Sequence, residues 1–385
     1  MRILHVIRTL DPADGGPPAV ALNLAAAQAK AGHKVFVLSQ EAADRATVID
    51  QYLADIAGAD LLILDRVVAG RIERWSAVTA LRRFNAHCPK VDLAHLHGVW
   101  TPILLRTAKE ARRRQLPYVL APHGMLDPFC LSQRRLKKKI ALAVAYRRML
   151  NGARVVHALN ADEQRLMKPL GLTAPAIVIP NGVNLEDLHP LPEPGTFRSA
   201  HPELEARPFF LFLSRLHFKK GLDLLAEGFA RFINRGGGMD LVVAGPDEGV
   251  RDDFEQRIAA HGLQARVHVV GPIYGGQKLA ALRDAAAFVL PSRQEGFSVA
   301  ITEALACRLP VAITESCHFP EVAEAGAGLI VPLDPEALAE AMVKIDEDPG
   351  ASHAMGQAGA RLVEEHYTWE RVAGRMIQAY ERLIG

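Results

Sequence analysis

The chain has 385 residues, a length that favours two domains over one, and its 49% hydrophobic and 23% charged fractions describe a globular protein, excluding a disordered or fibrous one. Four cysteines, Cys88, Cys130, Cys307 and Cys317, form no C-x-x-C pair, which excludes a disulfide framework and reads as reduced thiols in a reducing compartment. Net charge is only +2, yet residues 106–154 hold 13 Lys/Arg against Glu110 and Asp127, so a basic segment stands in an otherwise acidic chain.

The opening MRILHVIRTL is interrupted by Arg2, His5 and Arg8 and reads as a first strand rather than a signal peptide. Strand patterns follow at 34–39, 61–64, 91–96, 117–121, 154–158 and 176–179, with helical patterns between most of them, the signature of βαβ units and a parallel sheet. Within this half, SQRRLKKKIALAVAYRRML (132–150) predicts a cationic amphipathic helix. Two readings of it stand side by side: a surface for an anionic membrane leaflet, or a solvated basic helix whose apolar side packs on the core. Residues 191–208, rich in Pro and polar residues and without periodicity, predict an interdomain linker. Alternation then restarts with strands at 209–214, 241–245, 266–270, 287–291, 310–314 and 328–332, and the chain closes on helices at about 335–346, 351–365 and 368–382. The predicted organisation is therefore a first domain 1–190, a linker 191–208, a second domain 209–367, and a final helix 368–385 free to cross back to the first domain. No stretch long enough to span a bilayer, about 18 apolar residues, is present.

Chemistry concentrates in the second half. In AFVLPSRQEGFSVAITEALACRLPVAIT (287–314) a strand, loop, helix and strand carry Glu295 and Glu303, with Ser298 expected as the helix cap. The two carboxylates are spaced to reach different parts of one extended ligand. The amides of Gly296, Phe297 and Ser298, near a helix N-terminus, suit phosphate or sugar oxygens. An isolated Glu-x7-Glu is more often a solvated helix face. Here it is accompanied by SRLHFKKG (214–221), which places Ser214, Arg215, Lys219 and Lys220 just past a strand end, the cations that clamp a diphosphate.

These motifs, with GGPPAV (15–20), HGVW (97–100), APHGML (121–126), PNGVNLEDL (180–188), AGP (244–246) and VGPIYG (270–275), resemble retaining glycosyltransferase family 4 over nearly the whole chain. The resemblance implies an α/β protein of GT-B fold, two Rossmann-like domains whose parallel sheets face across a cleft. It implies that Arg215 and Lys220 hold the donor diphosphate, that Glu303 binds ribose hydroxyls, and that Glu295 with the amides of Gly296, Phe297 and Ser298 reads the donor sugar. It places Gly16 at the phosphates or the acceptor, His123 beside the donor sugar and the reacting centre, and the base against Val270, Pro272 and Ile273. His95 and His97 point the same way on a strand, but with no third ligand apparent they read as packing rather than metal binding.

Two departures from the family pattern stand out. Arg308 occupies a position where a glycine is usual, and the only Asp-x-Asp, at 346–348, falls at a predicted helix end rather than beside a cleft. No metal and no resident cofactor are therefore expected, cations and helix N-termini replacing a divalent ion on the diphosphate. The activity implied is transfer of a hexose from a nucleoside diphosphate sugar to a glycan or lipid-linked acceptor, with retention of configuration through front-face attack, in the cytoplasm and at the inner membrane face. The alternatives are a GT-B sugar-nucleotide epimerase and a non-catalytic nucleotide-sugar-binding protein. A pyridoxal-phosphate phosphorylase would need a longer chain, no G-x-G-x-x-G follows a strand, and the basic segment lacks the interleaved aromatics of a nucleic-acid surface.

Overall fold

A computed structural model describes residues 1–11, 16–41, 62–68, 91–204 and 207–384. Cys88, Gly15 and the stretches 42–61 and 69–90, the first ending on residue 61 of the strand expected at 61–64, lie outside the described residues. The chain divides into two units, Met1–Gly182 with Trp369–Gly385, and Val183–Thr368.

In the first unit, strands β1 (Arg2–Ile7), β2 (Lys34–Glu41), β3 (Leu62–Val68), β4 (Leu93–His97), β5 (Tyr118–Ala121), β6 (Val155–Ala158) and β7 (Ala176–Val178) form a parallel sheet in the order β3-β2-β1-β4-β5-β6-β7. Both faces are covered, so the strands read as nearly continuous apolar runs. One face, with Leu4, Val6, Leu96, Leu120 and Val156, packs on Ile103, Leu104 and Ala108 of the helix Pro102–Arg113. The other, with Ile3, Leu93, Val119 and Val155, packs on the helices Gly16–Lys30 and Trp369–Ile384. The latter presents Trp369, Val372, Ala373, Met376 and Tyr380, the helical spacing of one buried stripe. The C-terminal helix expected at 368–385 is thus part of the first unit.

The second unit carries β8 (Phe209–Leu213), β9 (Asp240–Ala244), β10 (Val267–Gly271), β11 (Ala287–Leu290), β12 (Val311–Thr314) and β13 (Gly328–Val331), all parallel, in the order β10-β9-β8-β11-β12-β13. Its core is built on Phe209, Phe210, Phe212, Phe229, Phe232, Phe254 and Phe288, all fully buried.

The segment 191–208 corrects the sequence expectation. It contains a short helix, Thr196–Ala200, and a single turn, Pro202–Leu204, and it inserts Phe197 and Leu204 into the second core. The Asp284 carboxylate accepts from the amides of Gly195 (2.6 Å), Phe197 (2.9 Å) and Arg198 (3.1 Å), tying the segment down. Two apolar anchors among polar residues leave no periodicity to read, so the segment resembles a linker while packing as part of a domain. The chain passes between units at Gly182/Val183 and Thr368/Trp369 instead.

Candidate active site

Open parallel sheets bind ligands at the carboxyl ends of their strands, where the strand order reverses. In the second unit that point lies between β8 and β11. The loop after β8 ends in a turn, Phe218–Lys220, closed by Gly221 at φ +71°. A Cβ on Gly221 would lie 2.0 Å from the Pro291 carbonyl oxygen, so only glycine lets the two loops meet. Arg293 then laces them together: its amide donates to the Lys219 carbonyl (2.7 Å) and its guanidinium forks onto Asp223 (2.7 and 2.6 Å). Neither Arg293 nor Asp223 is picked out by the sequence motifs; the signal available was their place, two residues from Glu295 and from Gly221.

The result is a pair that the sequence assigned to separate roles. Lys220 Nζ donates to Glu295 Oε1 at 2.6 Å, with the two side chains only 13% and 8% exposed. Ser292 Oγ donates to the same oxygen at 2.5 Å, and the Glu295 amide donates to the Ser316 carbonyl at 3.0 Å. Glu295 Oε2 has no partner among the described residues and is able to accept further hydrogen bonds, while Lys220 keeps two N–H donors. A deeply set cation and carboxylate side by side can take a phosphate and a sugar together.

The other expected residues divide. Glu303 lies on the helix Val299–Ala306 and is held by Lys278 Nζ at 2.7 Å, a partner the sequence did not suggest. Ser298 is the N-cap residue of that helix, as expected, but its side chain makes no capping bond. Arg215 is exposed and pairs with Glu248 at 2.6 Å, apart from the Lys220 pair. Val270 is half-buried, whereas the Ile273 side chain is 5% exposed and belongs to the core, so an apolar edge there falls to Val270. Asp346 accepts from the Gly238 amide (2.7 Å) and Asp348 from the Ala351 amide (2.8 Å), which places the Asp-x-Asp at a helix junction. Arg308 adopts φ +63°, the left-handed conformation a glycine would take without strain. Burial pushes the Cys307 and Cys317 thiols up to about 12, so neither is a nucleophile at neutral pH.

In the first unit the order reverses between β1 and β4. His5 on β1 pairs in register with His95 on β4, and alternation puts His97 on the same face. Small Ala121 lies beside His97 on β5, and His157 on β6 follows it, its ring 5.4 Å from that of His95. All four histidines are buried. Gln28 Oε1 contacts His5 Nε2 at 2.8 Å, His5 Nδ1 contacts His97 Nε2 at 2.9 Å, and His97 Nδ1 contacts His123 Nε2 at 3.0 Å. His95 Nδ1 lies 2.6 Å from the Tyr380 hydroxyl. Burial lowers His5 and His157 to about 4, His123 to about 3, and His95 and His97 well below the usual range, so the cluster is neutral. The third ring missing from the sequence reading is His5. Nitrogens of His5, His95 and His97 lie within 4.8 Å of one another, a grouping able to take a metal, yet both nitrogens of His5 and of His97 are already engaged in hydrogen bonds.

His123 is half-buried at φ +52°, followed by Gly124 at φ +71°. This turn is held by buried Glu163, which accepts from the amides of Gly124 and Leu159, each at 2.6 Å. Asn160 caps the helix Ala161–Met167 by accepting from the Glu163 amide, so the same turn of helix aims Glu163. Gly16 opens the helix Gly16–Lys30, and a Cβ there would meet nothing within 4 Å among the described residues.

The stretch 132–150 is a broken helix: Arg135–Ala141, a π turn Leu142–Tyr146, then Arg147–Asn151. Leu142, Met149 and Leu150 are buried, while Leu136 (72% exposed), Ile140 (55%) and Val144 (79%) form an outward stripe at i, i+4, i+8 beside Arg135, Lys137 and Lys139. Beside it lies a cavity of about 350 Å³ with Leu131, Leu142 and Leu170 in its wall and Arg135, Lys138 and Lys139 at its edge. No described helix is long and apolar enough to cross a membrane.

Comparison with known proteins bears on the family and the fold. Residues 15–182 match the glycosyl transferase 4-like domain and residues 195–362 match glycosyl transferases group 1. The chain is 26% identical to the GDP-mannose:cellobiosyl-diphosphopolyprenol alpha-mannosyltransferase of Xanthomonas campestris over 100% of this chain and 98% of that one. It is 30% identical to the phosphatidyl-myo-inositol mannosyltransferase of Mycobacterium leprae over 57% of each. Among solved structures, HepE of Anabaena in complex with UDP and glucose has a TM-score of 0.75 at 19% identity, over 99% of this chain and 100% of that one. The sucrose-phosphate synthase of Thermosynechococcus elongatus has a TM-score of 0.71 at 22%, over 100% and 99%. The fold is that of these structures, GT-B.

Proposed function

We propose that this glycosyltransferase, which belongs to the glycosyl transferases group 1 family, transfers a hexosyl group from a nucleoside diphosphate sugar to a hydroxyl of a glycan or lipid-linked acceptor, with retention and without a metal ion. The observation that carries the reading is the buried Lys220–Glu295 pair, braced by Ser292, at the switch point of the second sheet. Lys220 meets the negative charge that develops on the departing diphosphate. Arg215, exposed and paired with Glu248, swings onto the same phosphates. Glu295 Oε2 and the amides of Gly296, Phe297 and Ser298 take sugar hydroxyls, Glu303 takes the ribose, and Val270 borders the base. His123 and Gly16 serve the first unit's side of the reaction. Front-face attack, in which the leaving phosphate receives the acceptor proton, retains configuration without a protein nucleophile.

The relatives named for GDP-mannose and for mannosyl transfer make GDP-mannose the first donor to try. The test is release of nucleoside diphosphate from GDP-mannose, UDP-glucose and ADP-glucose, with and without a polyprenyl-linked oligosaccharide, and the anomeric configuration of the product by NMR. Acceptor-dependent release with an α-linked product is expected; no release from any donor, or an inverted product, rejects the reading.

A lipid-linked acceptor is favoured by the Leu136–Ile140–Val144 stripe among exposed cations, which suits the anionic inner leaflet of a membrane. Sedimentation with anionic vesicles at low salt, and its loss at high salt, tests this.

A further inference from the structure

We propose that Gln28, His5 and His97 are positioning residues that set the direction of a hydrogen-bond chain ending on His123, so that His123 offers a bare Nδ1, and not an N–H, to a hydroxyl of the sugar substrate. This rests on the reading of His123 as substrate-facing.

The direction follows from atom types. An amide oxygen only accepts, so with Gln28 Oε1 2.8 Å away, His5 Nε2 carries its proton. A neutral imidazole has a single N–H; His5 Nδ1 is therefore a lone pair, and the 2.9 Å contact is donated by His97 Nε2. The same step repeated makes His97 Nδ1 the acceptor of the 3.0 Å bond from His123 Nε2. The remaining nitrogen, His123 Nδ1, has no partner among the described residues and carries no proton. Gln28, His5 and His97 are at most 2% exposed, so water does not compete for these bonds.

The far end continues to Tyr380 and His95. The Gln28 amide nitrogen lies 3.4 Å from the Tyr380 hydroxyl, which is 2.6 Å from His95 Nδ1. When the amide donates to Tyr380, the hydroxyl proton is left for His95, and Gln28 keeps its oxygen on His5. Rotating the amide would reverse every bond and present His123 Nδ1–H instead. At its outer end the His123 backbone is held in the left-handed region, with Glu163 on the next amide. Backbone and ring are thus fixed from opposite sides, and the proton placement is decided three side chains away.

Long-range proton–nitrogen NMR of the full chain labelled at histidine, without ligand, reads the tautomers directly. His5, His97 and His123 are each expected as a single Nε2–H tautomer. A wild-type His123 with its proton on Nδ1, or an averaged mixture, overturns the proposal whether or not any variant folds. Gln28→Leu removes the accepting oxygen and is expected to give averaged signals along the chain, with kcat lowered about fivefold, the worth of one hydrogen bond, and donor KM unchanged. Unchanged single tautomers in folded Gln28→Leu, or a raised donor KM in place of a lowered kcat, would mean a merely structural role and would overturn the proposal. Full turnover in His123→Ala would reject the substrate-facing reading while leaving the tautomer result in force, which separates the two failures.

Discussion

The two sheets share one plan and fill it differently. At the crossover of the second sheet, β8 and β11 bury Phe209, Phe210, Phe212 and Phe288, and the polar chemistry begins only beyond the strand ends, at Lys220 and Glu295. At the crossover of the first, imidazoles run down the strands themselves, and among the described residues the four buried histidines, His5, His95, His97 and His157, all lie in that unit. An apolar core is indifferent to pH. A core of neutral histidines is stable only while they stay neutral, so the comparison separates a unit whose switch-point strands carry imidazoles from one whose switch-point strands are apolar.

The largest effect tests that contrast. The folded values of these histidines lie below the unfolded value near 6.5, so between the two the unfolded chain binds more protons. The stability they contribute is fully present above about pH 6.5 and is lost as pH falls, for His5 and His157 down to about 4, by about 1.4 kcal/mol per pH unit for each group titrating in that window. Trp100 and Trp369 lie in the first unit and the sequence of the second, Val183–Thr368, holds no tryptophan, so tryptophan fluorescence does not report on the second unit. The first unit's melting point is expected to fall by more than about 10 °C between pH 7 and pH 5, ahead of the circular-dichroism loss from the second unit; coincident transitions at pH 5 would break the contrast. The complementary change is Phe229→Ala, which is expected to destabilise the second unit by about 3–5 kcal/mol and to leave the tryptophan transition in place.

Next in size is the active pair. Lys220→Ala is expected to lower kcat/KM by about ten- to a hundredfold, since a charge-assisted contact is worth roughly 1.5–3 kcal/mol, with tryptophan fluorescence unchanged. Arg215→Ala, at an exposed pair with Glu248, is expected to cost less than Lys220→Ala; turnover equal to wild type in both variants would remove the second unit's switch point from the chemistry. Smaller still, Arg308→Gly relieves a left-handed backbone and is expected to stabilise the second unit by about 1 kcal/mol, read as a later circular-dichroism midpoint. Turnover in EDTA is expected to match turnover without it, and restoration of a lost activity by manganese would overturn the metal-free reading.

Much of this protein is legible along its chain. Alternating strand and helix patterns anticipate the thirteen strands of the described residues, and the spaced motifs around Arg215, Lys220, Glu295 and Glu303 point to the family before any fold is known. Such signals are local, because periodicity, glycine turns and motif spacing depend on residues a few positions apart. What escaped was non-local. Phe197 and Leu204 turn an apparent linker into core, and Lys278 and Arg293 reach carboxylates 25 and 70 positions away. His95 and His97 looked like two packed rings until β1 came alongside β4 and brought His5, with Gln28 and Tyr380 from helices at opposite ends of the sequence. Which residue types are present, and which face of each strand they occupy, the sequence by itself determined. Which of them share a proton or a charge only the tertiary structure decided, because a hydrogen bond needs two atoms within about 3 Å, and strand order and register, not chain position, set that distance.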